Sequence, residues 1–188
     1  MFLSPPRWAW HPHRAGVAAE TVARAWLAQQ LDCTAEQLPL SRDGFGRPRL
    51  HASLAACDTS WSHSGEGLLV ALGRDMDVGI DLERLRPRPR ALAVAERYFT
   101  TLELDWLQLQ DADDRDEAFL RLWCAKEAVL KAYGRGLAFG LDKLAFAQGD
   151  GALVLVACDR ALGAPADWQL REFIPQPGYR AALAWRRR

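Results

Sequence analysis

The stretch Asp77-Val78-Gly79-Ile80-Asp81-Leu82-Glu83 alternates polar and apolar residues with a period of two, the pattern of a β-strand with one face in a core. In a strand, Val78, Ile80 and Leu82 face that core, while Asp77, Gly79, Asp81 and Glu83 share the other face. Asp81 and Glu83 then stand roughly 7 Å apart, close enough for both carboxylates to reach one cation. Gly79 beside them leaves room for a ligand to approach the backbone. Two hard oxygen ligands joined by substrate oxygens suit Mg²⁺, which keeps some of its waters. Taken alone, an Asp-x-Glu pair more often marks a solvated strand end.

Further along, Phe119 to Lys131 carries the spacing of a helix. Phe119, Leu122, Val129, Leu130 and Tyr133 form its buried stripe. Trp123, Glu127 and Lys131 fall at i, i+4 and i+8 along another side. A carboxylate one turn from an ammonium can hold a metal while gripping an anion; the same spacing also describes an ordinary surface ion pair. Lysine usage marks the segment. Of 24 cationic residues only Lys126, Lys131 and Lys143 are lysines, and two of them lie within Lys126-Glu127-Ala128-Val129-Leu130-Lys131. A compact ammonium and a flat guanidinium are not interchangeable at a tight site.

Around these two segments the chain alternates helical and strand patterns. A helix is expected from Arg14 to Leu31, a turn at Asp43-Gly44-Phe45-Gly46-Arg47-Pro48, and short strands at Thr59–Ser62, Leu68–Leu72 and Asp77–Leu82. Arg84-Leu85-Arg86-Pro87-Arg88-Pro89-Arg90 interrupts regular structure, because two prolines so close cannot sit inside a helix. Helices then follow at Ala91–Arg97, Leu102–Leu109 and Asp114–Tyr133, the last stopped by Gly134 and Gly136. Strands are expected at Leu144–Ala147, Ala152–Ala157, Trp168–Ile174 and Tyr179–Trp185. Helix plus several strands in each half predicts an α+β fold, with an N-terminal half over 1–86 and a C-terminal half over 87–188 in a single structural unit. The halves read as pseudo-duplicated, although no sequence repeat is visible.

Composition narrows the function classes. The 188 residues suffice for one domain or two small halves, and 49% hydrophobic with 26% charged residues describes a soluble globular chain. Lys plus Arg equals Asp plus Glu, 24 against 24, so no basic field points to nucleic acid. No run approaches the roughly 20 apolar residues of a membrane helix. Met1-Phe2-Leu3-Ser4-Pro5-Pro6-Arg7 lacks the basic and apolar regions of a secretion signal. Cys33, Cys57, Cys124 and Cys158 show no paired spacing, as expected of free thiols in a reducing cytoplasm.

Val78-Gly79-Ile80-Asp81-Leu82-Glu83, followed about forty residues later by Trp123-Cys124-Ala125-Lys126-Glu127-Ala128-Val129-Leu130-Lys131, resembles the signature pair of the 4′-phosphopantetheinyl transferases, (V/I)-G-(V/I)-D-x-E and W-x-x-K-E-(A/S)-x-x-K. Trp61-Ser62-His63-Ser64-Gly65 resembles the family's S-H-S segment and Gly46-Arg47-Pro48 its G-K-P turn. Arg97-Tyr98-Phe99-Thr100 with Glu103 resembles its R-F-F-(S/T)-x-x-E stretch. The likeness runs from about His13 to Trp185 and, with the chain length, resembles the Sfp-like (surfactin-synthetase-activator) branch.

That resemblance implies transfer of phosphopantetheine from coenzyme A to a serine of an apo acyl or peptidyl carrier protein, releasing 3′,5′-ADP, in a cytoplasmic monomer with its active site in the cleft between the halves. It implies Mg²⁺, or Mn²⁺, on Asp81, Glu83 and Glu127, and Lys131 on the pyrophosphate. Glu127 would also accept the serine proton. Ser62, His63 and Arg47 would bind the nucleotide phosphates, with Arg14 as a further phosphate ligand. Lys126 would contact the coenzyme or orient Glu127, and Cys124 is filler. Longer relatives supply basic residues to the 3′-phosphate from an extra leading segment; here Arg7 and Arg14 would substitute, or that phosphate is held more loosely. The His11-Pro12-His13 pair reads as surface histidines, since two without a third ligand do not make a metal site. Arg84 to Arg90 reads either as a solvated loop or as a docking edge for an acidic carrier. Two other activities fit the same acids: a Mg²⁺-dependent nucleotide hydrolase, and a non-catalytic carrier-binding adaptor.

Overall fold

The computed structural model describes residues 5–188; Met1–Ser4, the first part of the stretch read above for a secretion signal, lies outside the described residues. The first repeat comprises β1 (Arg7–Pro12), α1 (Ala19–Gln30), a ribbon of β2 (Leu40–Arg42) and β3 (Pro48–Leu50), then the hairpin of β4 (Cys57–Ser64) and β5 (Gly67–Arg74). The second comprises β6 (Met76–Arg84), α2 (Ala91–Tyr98), α3 (Thr101–Gln108), α4 (Ala112–Tyr133), a ribbon of β7 (Leu144–Gln148) and β8 (Leu153–Cys158), then β9 (Trp168–Phe173) and β10 (Tyr179–Arg187). Each repeat builds a three-stranded antiparallel sheet, ordered β1-β5-β4 and β6-β10-β9. In both, the first strand pairs with the last and the last with the middle one. The fold is α+β, and its duplication lies in topology.

The boundary between repeats differs from the expected one. β6 pairs with β10 along its whole length, from Met76 opposite Arg187 to Arg84 opposite Tyr179. The second repeat therefore opens at Met76, after a turn in which Asp75 takes a left-handed φ of 58°. The arginine- and proline-rich segment after Glu83 connects β6 to α2 inside the second repeat. The first helix is also shorter than its periodicity predicted, starting at Ala19.

Three apolar layers follow from strand alternation. Leu68, Val70 and Leu72 of β5 pack against Ala23, Trp26 and Leu27 of α1. Leu69 and Ala71, on the other side of β5, meet Val78, Ile80 and Leu82 of β6 and Ala181, Leu183 and Trp185 of β10 between the sheets. On the outer face of the second sheet, Ala182 and Ala184 pack with Ala125, Ala128 and Val129 of α4. The order is helix, sheet, sheet, helix.

Two features bring β6 to the site. Along one flank, the polar residues of β4 stitch it to the first repeat. Val78 N–H donates to Asp58 Oδ2 (2.7 Å), Ile80 N–H to Ser60 Oγ (3.2 Å) and Arg84 N–H to Ser64 Oγ (3.1 Å). Ser62 Oγ donates to Asp81 Oδ1 at 2.8 Å. Edge amides that no ladder could reach are thereby satisfied. On its face, β6 meets α4 at Gly79, where a Cβ would overlap the Ala128 carbonyl and the Ala132 amide. The glycine thus admits a helix backbone, where the sequence had suggested an approaching ligand.

Gly79→Ala is expected to cost about 3 kcal/mol or more, because its obstacles are main-chain atoms that cannot turn aside. Gly44→Ala, with nothing within 4 Å of the added methyl, should stay within about 0.5 kcal/mol. Urea unfolding of both variants checks the pair; equal midpoints would remove Gly79 from its structural role.

Candidate active site

α4 begins with Asp113 and Asp114 in its first turn and ends with Lys131 in its last, complementing its dipole. Gly134 stops it in a left-handed conformation (φ 90°). Because α4 lies close on β6, Lys131 Nζ reaches Asp81 Oδ1 at 2.6 Å and the Ile80 carbonyl at 3.3 Å. Asp81 is 4% exposed. Its Oδ1 takes both Lys131 and Ser62, while its Oδ2 is buried without a partner. Glu127, one turn before Lys131, is also buried. Burial, reinforced by the nearby Asp81 and Glu83 carboxylates and opposed by Lys131, pushes the Glu127 carboxyl up to about 7. Burial pulls the Lys131 ammonium down, but Asp81 and Glu127 outweigh it and the net shift is upward.

An orphaned carboxylate oxygen beside a second buried acid fits a hard divalent cation. Asp81 lies near enough to Glu127 for its charge to raise the Glu127 pKa. Glu83, whose charge also reaches Glu127, has partners of its own: its carboxylate accepts Ser64 Oγ (3.2 Å) and pairs with Arg88 Nη2 (2.6 Å). Among the described residues no three carboxylate, imidazole or thiol groups gather tightly enough to enclose an ion.

The expected phosphate ligands divide. His63 is exposed, and its ring stacks on His13 (4.7 Å between centroids, 30° between planes). Partial burial, then the His13 and Lys131 charges, hold His63 below its ordinary pKa. Arg14, His13 and His63 share an open recess of about 860 Å³ with Trp10 and Tyr179. Arg7 instead donates to Gln30 at the far end of β1. Ser62 is buried with its hydroxyl given to Asp81.

Arg47 is a correction. Its buried guanidinium pairs with Asp58 and donates to the Ala132 carbonyl, clamping the Gly46–Pro48 turn to the end of α4, so little of its charge remains for a ligand. It still walls a cleft of about 190 Å³ together with Arg42, Phe45, Trp61 and Lys131. Arg42 lies over the Trp61 ring at 5.2 Å and donates to Glu20 Oε2 (3.0 Å) and the Gly46 carbonyl (2.7 Å).

Lys126 is the second correction. It is fully buried, as is Glu103, which it meets at 2.7 Å. It also donates to the Leu141 and Leu144 carbonyls (2.7 and 2.6 Å) and lies over the Phe99 ring at 4.9 Å. Burial holds the ammonium below its ordinary pKa, outweighing the opposing pull of Glu103. At 0% exposure it is closed off from any ligand, and Glu103, Phe99 and the Leu141 and Leu144 carbonyls surround it. Cys124 is buried with its thiol on the Arg180 carbonyl (3.7 Å), and burial pushes its pKa well up, consistent with filler.

The family profile of the 4′-phosphopantetheinyl transferase superfamily matches residues 77–184, which include β6 and α4. The chain is 31% identical to the 4′-phosphopantetheinyl transferase HetI of Nostoc sp. strain PCC 7120 over 91% of this chain and 70% of that one. It is 32% identical to the 4′-phosphopantetheinyl transferase psf-1 of Bacillus pumilus over 69% of this chain and 54% of that one. It is 28% identical to the 4′-phosphopantetheinyl transferase Sfp of Bacillus subtilis strain 168 over 69% and 56% respectively. The chain thus spans about half the length of the Bacillus relatives.

Two outcomes test this electrostatic picture. A carboxyl raised in the folded state keeps its proton longer there than in the unfolded chain, so stability should fall as pH climbs from about 4.5 through about 7. In chelator-treated protein, Glu127→Gln should remove about 2 kcal/mol of that fall between pH 5 and pH 8; chemical denaturation at both pH values reads it. Lys126→Met or Glu103→Leu alone should cost about 3–5 kcal/mol, and the double variant distinctly less than the sum. Additive losses in the cycle would show that the pair does not act as a unit.

Proposed function

Because the chain belongs to the 4′-phosphopantetheinyl transferase superfamily, in its Sfp-like branch, we propose that it transfers the 4′-phosphopantetheine group of coenzyme A to a serine of an apo acyl or peptidyl carrier protein, releasing 3′,5′-ADP. The observation that carries the reading is the meeting of Lys131, Asp81 and Glu127 where α4 crosses β6, beside a cleft walled by arginines and aromatic rings.

The reaction forms a serine O–P bond at the coenzyme pyrophosphate and breaks the P–O bond to 3′,5′-ADP. The Lys131 ammonium, already held in the cleft by Asp81, neutralises pyrophosphate oxygens as charge grows on the leaving group. Glu127, buried beside Asp81 and one turn from Lys131, would accept the serine proton. Mg²⁺ or Mn²⁺ on Asp81 and Glu127, with Glu83 as third acid, would supply Lewis-acid neutralisation of the pyrophosphate. His63 and Arg14, with His13, offer the recess for the nucleotide phosphate. Lys126 acts as a positioning residue, fixing the turn of α4 that presents Glu127.

The carrier would approach over Arg86, Arg88 and Arg90. These border a groove of about 400 Å³ walled by Val94, Phe119 and Trp123. A cationic rim beside an apolar wall suits an acidic helical partner, and opposite charge would speed encounter. No helix among the described residues is long and apolar enough to cross a membrane. A cytoplasmic monomer is part of the proposal.

Incubation of the protein with an apo carrier, coenzyme A and Mg²⁺, followed by carrier mass, tests it. The expected result is a gain of one phosphopantetheine. Cleaved coenzyme with an unmodified carrier would establish a hydrolase, and carrier binding without transfer an adaptor. Asp81→Ala should lower transfer by at least about 100-fold while leaving carrier binding intact.

A further inference from the structure

Glu83 lies at the outer end of β6, where Ser64 of β4 donates to its Oε2 at 3.2 Å and the charge that faces it comes from the connection that follows. Arg88 donates through Nη2 to Glu83 Oε2 at 2.6 Å, with both side chains largely covered (25% and 20% exposed). Its backbone is pinned, since Arg88 N–H donates to Asp116 Oδ2 at 2.8 Å in the first turns of α4. Pro87 and Pro89 flank it and restrict the main chain further. The guanidinium itself is less well held: a single nitrogen meets the carboxylate, and the buried Nε has no partner. A stiff backbone thus carries a one-point contact, where a bidentate pair would have been firmer. The neighbouring groove walled by Phe119 and Trp123 offers that side chain a path away from Glu83.

We infer that Arg88 is a built-in counter-cation that competes with the divalent ion for Glu83, so that ion capture requires Arg88 to swing off this carboxylate. The inference rests on the metal reading proposed above and extends it to a residue outside the acidic set. With Lys131 on Asp81 and Arg88 on Glu83, each cation neutralises one acid of the site when no ion is present. The benefit is a site that folds without its ion; the cost is weaker ion binding than three free acids would give.

Titration of Mn²⁺ into the full chain, followed calorimetrically and by the paramagnetic signal of the ion, tests this without any turnover. Arg88→Met should tighten Mn²⁺ binding roughly 5-fold, the equivalent of one partly screened ion pair. Arg88→Lys should fall between it and the wild type. In a Glu83→Gln background, which itself binds more weakly, Arg88→Met should change nothing. Arg88→Gln replaces the Met variant if the latter does not fold. Unchanged or weaker binding in the Arg88 variants overturns the inference, as does equal tightening with and without Glu83, the mark of a general charge effect. Absence of Mn²⁺ binding in every form, wild type included, overturns the metal reading itself and this inference with it.

Discussion

The site depends on a distance of closest approach. α4 can put Glu127 and Lys131 over Asp81 only because β6 offers no side chain at Gly79, and because the facing residues Ala128, Ala132, Ala182 and Ala184 are small. A glycine inside a strand costs about 0.5–1 kcal/mol of backbone order. The approach it allows brings residues fifty positions apart into a 2.6 Å ion pair. A larger residue would lift the helix and separate the ammonium from the acid it neutralises.

Helical geometry then sends two lysines of one motif to opposite fates. Five residues at about 100° each leave Lys126 and Lys131 roughly 140° apart around α4. Lys126 enters the core, where Glu103 and two carbonyls surround it, and Lys131 emerges beside the cleft. One charge is enclosed by the core; the other pairs with Asp81 at the edge of the cleft. The buried pair also ties Phe99 and Glu103 to α4, since the Lys126 ammonium lies over the Phe99 ring and meets the Glu103 carboxylate.

Local patterns made much of this legible. Alternation over Asp77–Glu83 correctly assigned Val78, Ile80 and Leu82 to the inter-sheet core and Asp81 to the opposite face. Helical spacing and Gly134 located α4 within two residues. β1 escaped because Arg7-Trp8-Ala9-Trp10-His11-Pro12 lacks a simple polar–apolar alternation, although Trp8 and Trp10 do flank the inter-sheet core. What filled the space above Gly79 was invisible, since open space for a ligand and open space for a helix look alike in one dimension. The fates of Arg47, Lys126 and Glu83 were hidden for a related reason: each is decided by a partner, Asp58, Glu103 or Arg88, that only tertiary proximity reveals.

The seam between β4 and β6 has a consequence for how such a protein can change. Its main-chain amides are received by Asp58, Ser60 and Ser64 side chains instead of a second strand's carbonyls. A ladder between main chains has nearly the same strength whatever the residues, so substitution scarcely tunes it. Here every rung is encoded separately. The stiffness of the joint between the two repeats is thus open to adjustment by single codons, with no strand rethreaded and neither sheet disturbed.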